Sequence, residues 1–219
     1  MSKKKSFGRP SERAEEAAEG SQGPSALKAI VPKAQAGDLE ALQELYSQYA
    51  QKILNYLYRM TGSREEAEDL AQDTFILAFK NIAALKDPEK FQSWLFRIAQ
   101  NNVYQRFRGY QPRLESIDQD DAMELSELQK RAAPERDPEQ SVLSSELKSH
   151  IEKVISELPE KYRTVFVLSA VQKLSYQEIS EIVDRSLASV KSDIHRARVE
   201  VRNKIKLYLG DNYGMSKLH

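Results

Sequence analysis

The stretch from Leu174 to Arg198 constrains this chain more than any other. Ser175 and Glu178 have capping-box spacing, in which each side chain satisfies the other's backbone N–H at a helix start. Ile179, Ile182 and Val183 then recur at three- and four-residue spacing, which gives that helix one apolar face. After a tight turn, Ser186 and Ser189 can open a second helix in which Leu187, Val190 and Ile194 face inward. Lys191, His195, Arg196 and Arg198 are left on or near its outer face. A short helix supporting a basic one is the geometry that sets a recognition helix into the DNA major groove.

Charge is informative here only in its distribution. The 219 residues carry 33 basic and 33 acidic side chains, so the overall balance favours no partner. From Arg185 to Lys206, however, seven cations face two acids, and from Leu114 to Glu139 nine acids face three cations. That asymmetry suits a nucleic-acid surface beside an acidic connector. Solvated charge runs are the plainer alternative, and they compete better for the acidic run than for the patterned basic one.

Several classes drop out. Without cysteine the chain has no disulfide, thiolate metal site or thiol redox switch. No apolar run approaches the roughly 20 residues of a membrane span. Met1-Ser-Lys-Lys-Lys-Ser-Phe-Gly8 is charged, but no apolar segment follows, so it does not read as a secretory signal. The expectation is a cytoplasmic protein without membrane insertion.

Along the chain the pattern predicts an all-α protein with two small helical domains. Residues 1–24 have the composition of a disordered leader. In 25–109, a short helix is expected to be interrupted or kinked by Pro32, and Gly37-Asp38 separates it from a long amphipathic stripe from Leu39 to Met60. Ser63 and Glu66 suggest a second capping box opening a helix to about Ala84, and Asp87-Pro88 opens a fourth that stops at Gly109. Four such helices can form one bundle. Residues 110–140 read as an acidic linker, 141–208 as a second helical unit broken at Pro159, and 209–219 as a tail.

Catalysis has little to work with. His150, His195 and His219 lie far apart, no spacing suggests a metal site, and no phosphate-binding glycine loop or nucleophile elbow is present. No enzyme activity, cofactor or metal is therefore expected. Two segments of the first bundle stand out instead. In Ala67–Lys80, with Leu70, Ala71 and Thr74 facing the core, Asp69, Gln72, Asp73 and Ile76 fall on the opposite side. That face is either ordinary helix surface or a docking face, and from the residues alone the ordinary reading is preferred. In Phe91–Arg108, aromatics interleave with Arg97, Asn101, Asn102, Gln105, Arg106 and Arg108. Aromatic rings stack on unpaired bases, amides read base edges and arginines hold phosphates, which suits single-stranded DNA. Core packing explains Trp94 equally well, whereas two consecutive asparagines are poor helix formers.

The order of these parts resembles a bacterial RNA polymerase sigma factor of the extracytoplasmic-function group, within the sigma-70 family. The likeness rests on Ala67-Glu-Asp-Leu-Ala-Gln-Asp-Thr-Phe75, Phe91-Gln-Ser-Trp-Leu-Phe-Arg-Ile-Ala-Gln-Asn101, Leu158-Pro-Glu-Lys-Tyr-Arg163 and Ser189-Val-Lys-Ser-Asp-Ile-His-Arg-Ala-Arg198. It covers roughly residues 26–208. The resemblance implies a region-2-like bundle and a region-4-like helix-turn-helix domain that together direct core polymerase to promoters and promote melting. It implies that Asp69, Gln72, Asp73 and Ile76 dock on the clamp helices of the beta-prime subunit, reversing the plainer reading of that face. Lys86, Asp87, Trp94, Arg97, Asn101 and Asn102 would handle the minus-ten element, where a base flips from the opened strand. Ser189, Lys191, Ser192, His195, Arg196 and Arg198 would meet the minus-thirty-five duplex. The implied partners are core RNA polymerase (beta-prime clamp helices and beta flap), promoter DNA and, in this group, an anti-sigma factor.

This sequence departs from the pattern in places. Asp184, or its neighbour Arg185, replaces the usual glycine of the turn; aspartate tolerates the left-handed conformation better than most residues. Asp193 stands where a cation is common, where it would repel phosphate or prefer a cytosine amino group. Pro32 and the long leader are also atypical. Two other classes compete: a stand-alone helix-turn-helix dimer and a protein-binding scaffold. The first leaves the bundle without a task, and the second leaves the cations of the last helix unexplained.

Overall fold

Helix ends show how local chemistry sets this architecture. The computed structural model describes residues 24–107 and 142–213. The acidic linker, the leader apart from Pro24 and the tail after Tyr213 lie outside the described residues, as does the expected stop at Gly109. α1 spans Pro24–Gln35 with Pro32 inside it, so the expected interruption does not occur. The side-chain amide of Gln35 donates to the carbonyls of Ile82 (3.0 Å) and Leu85 (2.8 Å), tying this helix to a distant loop.

Asp38 caps α2, Leu39–Thr61, accepting from the backbone N–H of Glu40 at 2.9 Å and Ala41 at 3.3 Å. Gly62 closes the helix at φ 75°, a conformation costly for a residue with Cβ. α3 covers Arg64–Asn81, with Ser63 accepting from Glu66 N–H at 3.3 Å. Only that half of the expected capping box forms, because the Ser63 N–H is given to Thr61 Oγ1 at 3.3 Å. α3 also stops short of Ala84, and Ile82–Ala84 tighten into a 3-10 turn. Asp87 caps a second such turn, Pro88–Lys90, and α4 follows over Phe91–Phe107.

The second unit consists of α5 (Val142–Ser156), α6 (Glu160–Phe166), α7 (Tyr176–Val183) and α8 (Leu187–Tyr213). α8 runs beyond the boundary expected at 208. No sequence signal announced the π-turn at Val167–Val171, where Gln172 N–H reaches back to the Val167 carbonyl at 3.0 Å. The Ser175–Glu178 capping box forms in full. Asp184, not Arg185, takes the left-handed turn position, at φ 50°, ψ 52°. Asp184→Gly would relieve that conformation at the expense of a more flexible unfolded chain, so the melting temperature should rise by about 1–2 °C. A fall in a thermal melt would show instead that the aspartate holds contacts outweighing its backbone cost.

α2, α3 and α4 enclose the first core, where Tyr56, Phe75, Phe91 and Phe96 are among the largest fully buried side chains. Ring pairs meet edge to face, Tyr46 with Phe75 at 4.8 Å and Tyr56 with Phe96 at 5.5 Å. The apolar core continues into Val165, Leu168, Ile179, Val190 and Ile194 of the second unit, because α4 packs on α7. Polar links join the units: Arg59–Glu152 at 2.6 Å, Lys90–Glu181 at 3.0 Å, and Arg163 to the Met60 carbonyl at 3.0 Å. The described residues are helical without any strand.

Candidate nucleic-acid and partner interfaces

α8 divides its two faces cleanly. Val190, Ile194, Ala197 and Val201 are buried, while Lys191, Ser192, His195, Arg196 and Arg198 are all exposed. Three cations and two hydrogen-bonding side chains therefore lie along one accessible strip. Tyr162 of α6 accepts from Arg196 Nη1 at 3.4 Å, and the Arg198 guanidinium sits 6.0 Å from the Tyr176 ring. These tyrosines flank the cations from elements distant in sequence, so no local pattern could have assigned them. Ser189 is half-buried, and its hydroxyl accepts from Arg185 Nη2 at 2.7 Å.

Asp193 requires a correction. It was expected on the outer face, repelling phosphate or reading a cytosine, yet it is 3% exposed. Its carboxylate accepts from Arg185 Nη2 and lies 3.5 Å from Lys161 Nζ. A buried carboxylate needs such partners, and it cannot reach a base from there.

The helix expected to meet unpaired DNA separates its residues similarly. Lys86 and Asp87 are exposed, but the Asp87 carboxylate is engaged in capping, accepting from Glu89 N–H at 3.0 Å. Trp94 is half-buried against the core, with its ring 6.0 Å from Phe91. Arg97 and Asn101 are exposed and line a cleft of about 680 Å³ together with Gln100 and Tyr104. Lys161, Thr164, Asp184 and Arg185 form the facing wall. Asn102 does not join them. It is 8% exposed and donates to Thr74 Oγ1 at 3.1 Å, while the Thr74 hydroxyl donates to the Leu70 carbonyl at 2.6 Å. Its amide therefore completes a buried polar network, and the surface role expected for it is withdrawn.

On α3, Asp69 is exposed and Gln72 and Asp73 are half-buried. Burial, reinforced by the neighbouring Asp69 carboxylate, pushes the Asp73 carboxyl above its ordinary range, and Arg106 opposes the shift. Ile76 departs from expectation. At 5% exposure it packs in the core and offers nothing to a partner in this arrangement. Asp69 and Gln72 instead border an open groove of about 600 Å³ whose other wall is Tyr46, Ser47, Gln51 and Leu54 of α2. The α2 wall was not foreseen, because Ser47 and Gln51 look like ordinary helix surface in the sequence.

Among the described residues no three potential metal-ligating side chains cluster, and no helix is long and apolar enough to cross a membrane.

Residues 45–113 match the Sigma-70 region 2 family and residues 150–201 match Sigma-70 region 4. The ECF RNA polymerase sigma factor SigW of Bacillus subtilis is 36% identical over 181 residues, 82% of this chain and 97% of its own length. Two solved structures share the fold. CnrH, solved in complex with the cytosolic domain of CnrY, aligns at TM-score 0.59 and 20% identity, covering 83% of this chain and 98% of CnrH. The sigma factor RpoE of Bartonella quintana, solved with the anti-sigma factor NepR, aligns at 0.52 and 18%, covering 83% and 95%. With both regions present in order and nearly the whole length of SigW matched, the chain belongs to the extracytoplasmic-function group of the sigma-70 family, the factors that direct RNA polymerase to promoters.

Proposed function

We propose that this sigma factor divides its work among three separate faces, two for promoter DNA and one for core polymerase. The exposed strip of α8, with Lys191, Ser192, His195, Arg196 and Arg198, reads the minus-thirty-five duplex in the major groove. Arg97 and Asn101 on α4, with the half-buried Trp94 one turn before Arg97 and Lys86 on the preceding loop, receive the opened minus-ten strand. Asp69 and Gln72, which border the groove between α2 and α3, and the half-buried Asp73 dock on the beta-prime clamp helices of core polymerase, and the second unit meets the beta flap. The chain performs no chemistry itself. It acts in the cytoplasm, where polymerase and promoter are found, and an anti-sigma factor is a further partner.

The observation that carries this reading is the segregation of α8, with cations on one face and core side chains on the other. The α4 face has a further requirement. In the arrangement described, Arg97 and Asn101 look across the cleft toward Lys161 and Arg185. A DNA strand reaches them only when α7 moves away from α4.

Run-off transcription by purified core polymerase on a promoter library, with and without the protein, tests the reading. Starts at a defined promoter set that require the protein are the expected result. Unchanged transcription together with specific DNA binding by the protein alone would reassign it as a stand-alone regulator. On a selected promoter, Arg196→Ala should weaken recognition by about 1–3 kcal/mol. A loss confined to promoters with one base at one position marks a base contact, and a uniform loss marks a phosphate contact.

A further inference from the structure

Asp193 is the one acidic residue of the basic helix stretch from Lys191 to Arg198, and it is buried. Its side chain is 5% exposed and takes part in two ion pairs, one with Arg185 from the turn and one with Lys161 from α6. Arg185 Nη2 bridges Ser189 and Asp193, so Arg185, Ser189 and Asp193 form a ladder along the first two turns of α8. The main chain of Arg185 is held as firmly. Its N–H donates to the Ser180 carbonyl at 3.1 Å, and its carbonyl accepts from Ser180 Oγ at 2.5 Å. Three elements meet at this carboxylate, α6 through Lys161, the turn through Arg185, and α8 itself, while α7 reaches it only through the main chain of Arg185. Lys161 Nζ also lies 5.0 Å from the Tyr162 ring, and Tyr162 holds Arg196.

The geometry points to Asp193 as a positioning residue for promoter recognition, one that pins the entry of α8 to its supporting helices and keeps Arg185 and Lys161 from gripping phosphate. The assignment rests on α8 being the duplex-reading helix. The N-terminal part of a recognition helix approaches the base edges, so cations released there would add attraction that is blind to sequence. With Asp193 in place the turn is rigid, and its two neighbouring cations are already satisfied. Discrimination is left to the exposed strip from Lys191 to Arg198.

The test uses full-length protein assembled with core polymerase, a promoter selected by the wild-type holoenzyme, and the same fragment with its upstream element scrambled. Binding to both is measured across a salt series. Asp193→Asn keeps the shape and one acceptor but removes the charge. It should lower discrimination between the fragments at least about fivefold, mainly by tightening binding to the scrambled one. The slope of log affinity against log salt should steepen by about 0.9 for each cation that becomes available. A purely structural Asp193 would lower the melting temperature and leave both discrimination and slope unchanged, which would overturn the assignment.

Lys161→Met tests the same point without touching the core, since the Lys161 side chain is 53% exposed. Alone it should leave the salt slope unchanged, and in the Asp193→Asn background it should reduce the slope. An equal reduction in both backgrounds would show that Asp193 does not mask this cation. If the wild-type holoenzyme itself ignores the scrambled element, the reading of α8 fails, and the role of Asp193 fails with it.

Discussion

Phe96→Ala is expected to destabilise the chain by about 3–5 kcal/mol, the range for emptying an aromatic site that cannot collapse. Phe96 is fully buried and meets Tyr56 edge to face, and the Tyr56 hydroxyl in turn donates to Gln100 Oε1 on α4. Removing the ring therefore leaves a void where α2 and α4 join and loosens the partner of a buried hydroxyl. For a chain of this size the melting temperature should fall by roughly 6–20 °C in calorimetry. Trp94→Ala is the informative contrast, because Trp94 is only half-buried on the same helix. Its melting temperature should fall less, while transcription from a promoter that must be opened should fall more than that loss explains. A shift below about 1 kcal/mol for Phe96→Ala would show that the α2–α4 contact is not the centre of this core.

Asp73→Lys should lower affinity for core polymerase at least about tenfold, equivalent to about 1.4 kcal/mol, while the helical circular dichroism remains that of the wild type. Asp73 is half-buried, and both burial and Asp69 raise its carboxyl pKa. A carboxylate whose folded pKa is raised stabilises the fold more at low pH, and that contribution is lost as pH rises through the folded value. At neutral pH the charged form is thus held at a cost to the free protein. Asp73→Asn should accordingly raise the melting temperature slightly at pH 7, with the gain shrinking toward acid pH. It should also weaken polymerase binding, the pattern of a charge retained for a partner. Core affinity unchanged in both variants would remove Asp73 from the docking face.

Much of the architecture was legible because it is local. Capping at Asp38, Asp87 and Ser175 depends in each case on residues within a few positions of one another. The stripe from Leu45 to Met60 is buried as its period predicts, and so are Val190 and Ile194. What was missed involved competition between partners. Ser63 has capping-box spacing, but Thr61 takes its N–H first. Of the two outcomes expected at Pro32, interruption or a kink, the interruption does not occur, and α1 runs on with Val31 and Ala34 in the core.

The candidate sites follow the same division. Periodicity alone placed Lys191, His195, Arg196 and Arg198 on the exposed side of α8, because a helix whose opposite face is apolar has only one way to turn. Ile76, Asn102 and Asp193 could not be placed in this way. Asn102 and Asp193 lie near the boundary between faces, where about 100° of rotation per residue leaves both sides open, whereas Ile76 stands opposite Leu70 and Thr74 on α3, where periodicity alone predicts exposure. Neighbours from other elements decided them: Thr74 for Asn102, Lys161 with the turn residue Arg185 for Asp193, and the surrounding core for Ile76. The sequence by itself determined the helices, their order, the basic face of α8 and the family to which the chain belongs. Only the tertiary structure decided which polar side chains are committed to the interior. A buried amide or carboxylate is stable only beside a partner of matching chemistry, and that partner can lie anywhere in the chain.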